Sequence, residues 1–214
     1  MDAQVSGSQD FSKYYDGFLG GRFFRWLDGA KRRVLRKHLA ALPPTAEVLD
    51  LGCGLASVTG TLVKDYPQLR LTAADHDARS LGWVRETGLN TQLLDFDQPL
   101  PFADNRFDAV LMIDSIEHVA SREGVLREVT RILRSEGSLV VFTPPYDTLA
   151  WLVGEKCHRL LTRRNAGHIS PFTRESLAWV LDRWFVQTRV FYLNLGLTLC
   201  GIGGSKRCGA RNDW

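Results

Sequence analysis

No stretch of this 214-residue chain approaches the roughly 18 consecutive apolar residues that a membrane-crossing helix needs. Its first ten residues, MDAQVSGSQD, lack the apolar core of an export signal, so a cytoplasmic location is expected. Cysteine is scarce. The four, at 53, 157, 200 and 208, form no CxxC pair, which leaves neither a zinc spacing nor a disulfide framework. No internal repeat runs through the chain, and no metal site is expected. A dinucleotide fingerprint, GxGxxG, would want its third glycine at position 57, where Ser57 stands.

What is present describes an ordinary globular protein. Hydrophobic residues make up 44% and charged residues 24%, and the length suits one well-buried domain. The net charge of +3 is unevenly placed. Residues 1–42 hold eight Lys/Arg against four acids, and residues 144–170 hold four against two. The rest of the chain is acidic. Such segments are either solvated helix faces or surfaces that attract an anionic substrate or membrane.

Apolar residues recur at helical spacing over 22–42 (Phe23, Leu27, Ala30, Val34, Leu35, Leu39, Leu42), until Pro43 and Pro44 stop the helix. The pattern then predicts a strand at 47–51, a helix at 56–66, a strand at 69–74, a helix at 77–87 and a short strand at 91–94. FDAVLMID, 107–114, is the near-continuous apolar run of a strand covered on both faces. A helix follows at 121–134, and Gly137 turns the chain into the strand SLVVFTP. Residues 148–161 read as an inserted helix. Thr173 reads as the N-cap of a helix to 182, with Phe172 and Leu177 spaced as a hydrophobic staple. Strands near 184–192 and 194–200 end the pattern, and 201–214 reads as a frayed tail. The alternation predicts an α/β fold, a doubly wound and mostly parallel seven-stranded sheet. The last two strands have no helix between them, which makes the final one antiparallel.

EVLDLGCGLAS, 47–57, is the most informative stretch. A strand breaks into Gly52, Cys53, Gly54 and Ala56, with Asp50 just before. Glycines at such a turn let a ligand approach the main chain, and the following helix points unpaired N–H groups at it. Together with AADHD (73–77), LLDFDQPLPFADNRFDAVLMIDSIEHV (93–119) and EVTRILRSEGSLVVFTPPY (128–146), it resembles the class I S-adenosylmethionine-dependent methyltransferases. The small-molecule branch, which includes ubiquinone and menaquinone biosynthesis methyltransferases, is the most similar in style. A weaker echo lies in GHISPFTRESLAWVL, 167–181.

That resemblance implies a Rossmann-like methyltransferase fold, S-adenosylmethionine as cofactor, and methyl transfer to a small-molecule or lipid-like acceptor by in-line displacement. It implies one domain over 1–214: a helical lid (1–42), a cofactor-binding core (43–145), an insert on the acceptor side (146–171), and a C-terminal helix and strand pair (172–214). Gly52, Cys53 and Gly54 would lie against the methionine part, and Ala56 stands where the family usually has a third glycine. Asp50 would help hold the cofactor's ammonium. Asp75, with His76 beside it, would accept from the ribose hydroxyls, Asp95 and Phe96 would read adenine, and Met112, Ile113 and Asp114 would face the methionine end.

Methyl transfer needs alignment and exclusion of water, and a base if the acceptor is a hydroxyl. His118, His168 and Tyr146 are the candidates on the acceptor side; His118 reads first as a structural residue at a helix start. The aromatic-rich first helix reads either as a lid or as core packing. Two readings of other classes stay open: an NAD(P)-dependent oxidoreductase, and a cofactor-binding member without turnover. No nucleic-acid partner is expected. An amphiphilic acceptor and peripheral contact with an anionic membrane are, and the acceptor itself is not legible.

Overall fold

The computed structural model describes residues 21–96, 98–162 and 170–207. Seven strands form one sheet in the order β3-β2-β1-β4-β5-β7-β6. They are β1 (Glu47–Leu51), β2 (Arg70–Asp75), β3 (Asn90–Leu93), β4 (Phe107–Ile113), β5 (Leu133–Thr143), β6 (Phe185–Leu193) and β7 (Thr198–Lys206). The pairs among β1 to β5 are parallel, and β7 runs antiparallel to both β5 and β6. This is the expected architecture.

Each central strand is apolar on both sides and sends alternate residues to two cores. Leu49, Leu51, Val110, Met112, Leu139 and Val141 pack with helices α4 (Arg122–Ile132) and α6 (Arg174–Trp184). Val48, Ala109, Leu111, Val140 and Phe142 face the other way. There they meet Leu35 and Leu39 of α1 (Arg22–Leu39), Leu62 of α2 (Thr59–Leu62) and Val84 of α3 (Ala78–Glu86). Helix α5 (Leu149–Thr162) follows β5. Three helix starts are fixed by side chains. Asp77 accepts from Arg79 N, Ser121 from Gly124 N, and Thr173 forms a reciprocal capping box with Ser176. Phe172 and Leu177, the expected staple pair, are both fully buried.

Helix α1 packs on the sheet along part of its length. Its C-terminal half is core, with Leu35 and Leu39 on the sheet and His38 Nε2 2.8 Å from Ser138 Oγ in the middle of β5. Its N-terminal half reaches the opposite edge, where Lys31 pairs with Asp114 just beyond β4. Phe23, expected on the apolar face, is exposed there.

Two expectations need correction. The helix expected over 56–66 is regular only at Thr59–Leu62. Ala56 sits at φ 51°, which delays its start, and Asp65 N turns back to Leu62 O at 3.0 Å, which tightens its end. Of the tail expected over 201–214, residues 201–206 are instead most of β7, while 208–214 lie outside the described residues, and the strand expected at 194–200 begins only at Thr198. The glycines that suggested fraying are there for packing. A Cβ at Gly201 would stand 2.8 Å from Leu181, and one at Gly203 would stand 2.5 Å from the Phe185 ring, which is fully buried. Strand glycines mark such close approach. Replacing Gly203 by Ala should therefore destabilise the fold by about 1–3 kcal/mol through overpacking. Gly204→Ala, whose Cβ would meet nothing closer than 4.0 Å, should be near neutral. Thermal melts of both variants check this.

Candidate active site

Strand order reverses between β1 and β4, which opens a crevice beyond their carboxyl ends. A cavity of about 570 Å³ lies there. Its walls come from the turn after β1, the ends of β2 and β4, Phe96, His118, and Asp28 of α1.

The turn is anchored by two amides. Gly52 N and Cys53 N both donate to Ala74 O, at 2.8 and 3.0 Å. Its backbone is left-handed at Gly52 (φ 82°), Gly54 (φ 50°) and Ala56 (φ 51°). At Gly52 the demand comes from the protein itself: a Cβ would lie 2.4 Å from that of Ser115, whose hydroxyl donates to Leu51 O at 2.8 Å. Ser115 thus ties β4 to β1 through space that only glycine leaves free. Ala56 accepts a left-handed backbone at about 1 kcal/mol, partly offset by burying its methyl. The Cys53 thiol is pushed up by burial and by Asp50 and Asp75, which disfavours its thiolate.

Asp50 is buried, and Thr59 donates to its Oδ2 at 2.5 Å. Its other oxygen, Oδ1, has no partner. Burial, against the Thr59 bond and with help from Asp75, pushes this carboxyl up to about 7. Asp75 is held firmly: Gly54 N donates to Oδ2 at 2.8 Å, Asp77 N donates to Oδ1 at 3.0 Å, and His76 Nδ1 lies 3.2 Å from Oδ1. A carboxylate keeps further lone pairs for a ligand. The exposed His76 ring meets Phe96 edge-on at 6.1 Å. At the third wall, Asp114 sits in a left-handed turn (φ 51°), its side chain ion-paired to Lys31.

The cavity brings together Asp50, Gly52, Cys53, Gly54, Asp75, His76, Phe96, Ile113, Asp114 and His118. It does not include three of the expected residues. Asp95 is exposed outside the lining, the Met112 side chain is fully buried in the core, and Tyr146 lies beyond β5 with its ring 6.0 Å from Trp151. Burial, with Glu155 and Glu117, pushes the Tyr146 phenol up to about 12, unfavourable for a base. His118 ends a 3-10 turn, Ile116–His118, and is exposed. His168 lies outside the described residues.

Residues that sequence reasoning missed complete the site. Lys31 is buried, and Asp28 also approaches it, at 3.8 Å. Burial opposes its charge, but Asp114 outweighs that, so its ammonium is held above the usual lysine range. Glu117 is wholly buried; Thr143 donates to Oε2 at 3.0 Å and Oε1 has no partner. Burial first, then Asp114, raises its carboxyl. The i,i+3 spacing of Asp28 and Lys31 was visible, but not which way that pair faces.

The lining is rich in carboxylates, two of which, Asp28 and Asp114, face the buried Lys31 behind it. It holds Asp28, Asp50, Asp75, Asp77 and Asp114, with no Lys or Arg. Such a cavity disfavours a pyrophosphate and favours a ligand carrying positive charge. The bare Asp50 Oδ1 adds a specific demand, since a buried carboxylate oxygen without a donor is costly. S-adenosylmethionine, with an ammonium and a sulfonium, fits both. Among the described residues no group of three or more His, Cys, Asp or Glu is placed to hold a metal.

Comparison with known proteins leads to the same class. A family model described as a methyltransferase domain matches residues 49–141. A ubiquinone/menaquinone biosynthesis C-methyltransferase of Desulfotalea psychrophila is 32% identical over 137 residues, 61% of this chain and 53% of that protein. A possible histamine N-methyltransferase of Thermotoga maritima superposes with a TM-score of 0.71 at 16% identity, covering 92% of this chain and 96% of that one. Geranyl diphosphate C-methyltransferase of Streptomyces coelicolor, solved with S-adenosylhomocysteine, superposes at 0.61 with 13% identity, over 83% and 75%. Residues 49–141 are thus similar to a methyltransferase domain, and the fold is that of the solved methyltransferases. The chain spans about half the length of the first curated relatives it matches.

The Asp50 carboxyl has a consequence for the ligand-free protein. Its folded value lies above the unfolded 3.8, so its stabilising contribution is complete below about pH 4 and is lost as pH rises through about 7. Between about pH 5 and about pH 8, the melting temperature should fall more for the wild type than for Asp50→Asn, which cannot ionise.

Proposed function

We propose that the chain transfers a methyl group from S-adenosylmethionine to a small, amphiphilic acceptor, in line, at the carboxyl ends of β1, β2 and β4. The observation that carries this reading is the unpartnered Asp50 oxygen in a carboxylate-rich cavity behind the glycine turn. When bound, the cofactor supplies a sulfonium methyl with its leaving group already in place. Asp50 receives the ammonium, Asp75 the ribose hydroxyls, and Phe96 with Asp95 the adenine. Asp114, braced by Lys31, faces the methionine end together with Ile113 and the carbonyl of Met112. His118, Tyr146 and His168 border the acceptor, and the N-terminal half of α1 with the 146–171 insert excludes water from it. The similar ubiquinone/menaquinone biosynthesis C-methyltransferase supports a lipid-like molecule as the acceptor. No described helix is long and apolar enough to cross a membrane. The chain works in the cytoplasm, in peripheral contact with an anionic membrane.

Calorimetric titration should show binding of S-adenosylmethionine and of its demethylated product, and none of NAD. Asp75→Ala should weaken both ligands by about 1.5–3 kcal/mol, as for lost hydrogen bonds to a charged group. Label from the cofactor's methyl should appear in an organic-soluble product, unaffected by chelator. NAD binding without a response to the sulfonium ligand would overturn the proposal.

A further inference from the structure

Ten large apolar side chains stand exposed among the described residues, and six of them come from three segments that meet at one place. Phe23 and Trp26 are on the first turns of α1, Leu149, Leu152 and Val153 on the first turns of α5, and Leu195 is in the turn between β6 and β7. Two hydrogen bonds join the segments: Asn194 Nδ2 donates to Leu27 O at 3.2 Å, and Thr148 Oγ1 donates to Gly196 O at 2.6 Å. Strand β6 runs parallel to β5, so this turn lies at the carboxyl edge of the sheet, the edge that carries the cavity.

Leu195 is the least explicable of the six by folding. It is 90% exposed and sits at φ 57°, between Asn194 at φ 53° and Gly196 at φ 86°. Asn and Gly suit a left-handed turn; leucine pays conformational energy there and regains nothing by burial. A residue that breaks a local rule without compensation inside the fold points outside it. The charges on these segments are mixed but mainly basic, with half-buried Glu155 on α5 the acid among them. Arg22 and Arg25 alternate with Phe23 and Trp26, and Lys156 is exposed on α5. Asp147, the acid at the start of this insert, is turned inward, accepting from Tyr192 Oη at 2.7 Å and Arg174 N at 2.8 Å.

We propose that this rim is a docking surface for an anionic phospholipid bilayer, with Leu195 and the first turn of α5 inserted among the acyl chains and Arg22, Arg25 and Lys156 at the headgroups. An apolar patch ringed by basic residues fits that interface. The rim adjoins the cavity, so a membrane-borne acceptor could enter without crossing water; that purpose, though not the docking, rests on the methyl-transfer reading.

Sedimentation with vesicles of mixed phosphatidylglycerol and phosphatidylcholine tests this, against phosphatidylcholine alone and at low and high salt. The wild type should bind the anionic vesicles and be released by salt. Leu195→Asn and Leu149→Gln should each lower partitioning about tenfold, the effect of withdrawing one leucine from an apolar phase. Removing the charge of Arg22 or Arg25 should lower it about fivefold. Leu195→Asn should melt no lower than the wild type, since asparagine tolerates the turn. Calorimetry with S-adenosylmethionine should be unchanged in the leucine variants, which separates failure of docking from failure of the functional reading. Equal partitioning of wild type and leucine variants, or no binding to anionic vesicles, would overturn the proposal. So would lipid-free self-association that the leucine variants abolish, because the rim would then seat a second copy of the chain.

Discussion

The site depends on a carboxyl group buried with one oxygen satisfied and the other bare. Asp50 ends β1 inside the sheet, where Thr59 supplies one hydrogen bond and the packing supplies no other. In the free protein this drives the group toward its neutral form. A cationic donor entering the cavity would reverse that preference, because it completes the hydrogen bonding and supplies the opposite charge together. The other carboxylates of the lining act in the same sense. Lys31 offsets Asp114 and Asp28, but Asp50, Asp75 and Asp77 face no Lys or Arg in the lining and favour positive charge over phosphate, which separates this cavity from a dinucleotide site of similar topology.

Neighbouring features keep that carboxyl where it is. The reversal of strand order between β1 and β4 opens the crevice, and the Ser115 bond to Leu51 O closes its base. Gly52 is needed for that bond, and Gly54 supplies the amide that fixes Asp75. On the other side, Lys31 joins α1 to Asp114. A buried lysine pair of this kind does more for positioning than for net stability, since desolvation cancels much of the attraction. It sets where the first helix crosses the cavity, and through Asn194 and Leu27 it also sets where the outer rim stands.

Much of this was legible in the sequence because it is local. A strand, a glycine turn and an acid at the next strand end have fixed spacing, so Asp50, Gly52, Gly54 and Asp75 could be named from residues 47–77. The sheet followed from the same alternation, and the antiparallel last strand from a missing helix. What was not legible depends on partners distant in the chain. The reason for Gly52 is Ser115, and Lys31 acquires its meaning only beside Asp114. The glycines of β7 read as a tail until Phe185 and Leu181 are seen lying on them. Apolar residues at 58, 62, 63 and 66 suggested a long helix, but the left-handed Ala56 and the weak helix formers of TGTL shorten it. Leu195 gave no signal, because its exposure and its turn arise together from how β6 returns into β7.

The state of Asp50 can be followed directly. If its carboxyl is partly protonated in the free protein and becomes the ammonium's counter-ion on binding, S-adenosylmethionine must displace protons near pH 7. Calorimetric titrations in buffers of different ionisation enthalpy measure that number. The account predicts net proton release near pH 7 that fades about two pH units higher and is lost in Asp50→Asn, which binds more weakly. Binding without proton release, at an affinity that Asp50→Asn retains, would contradict it.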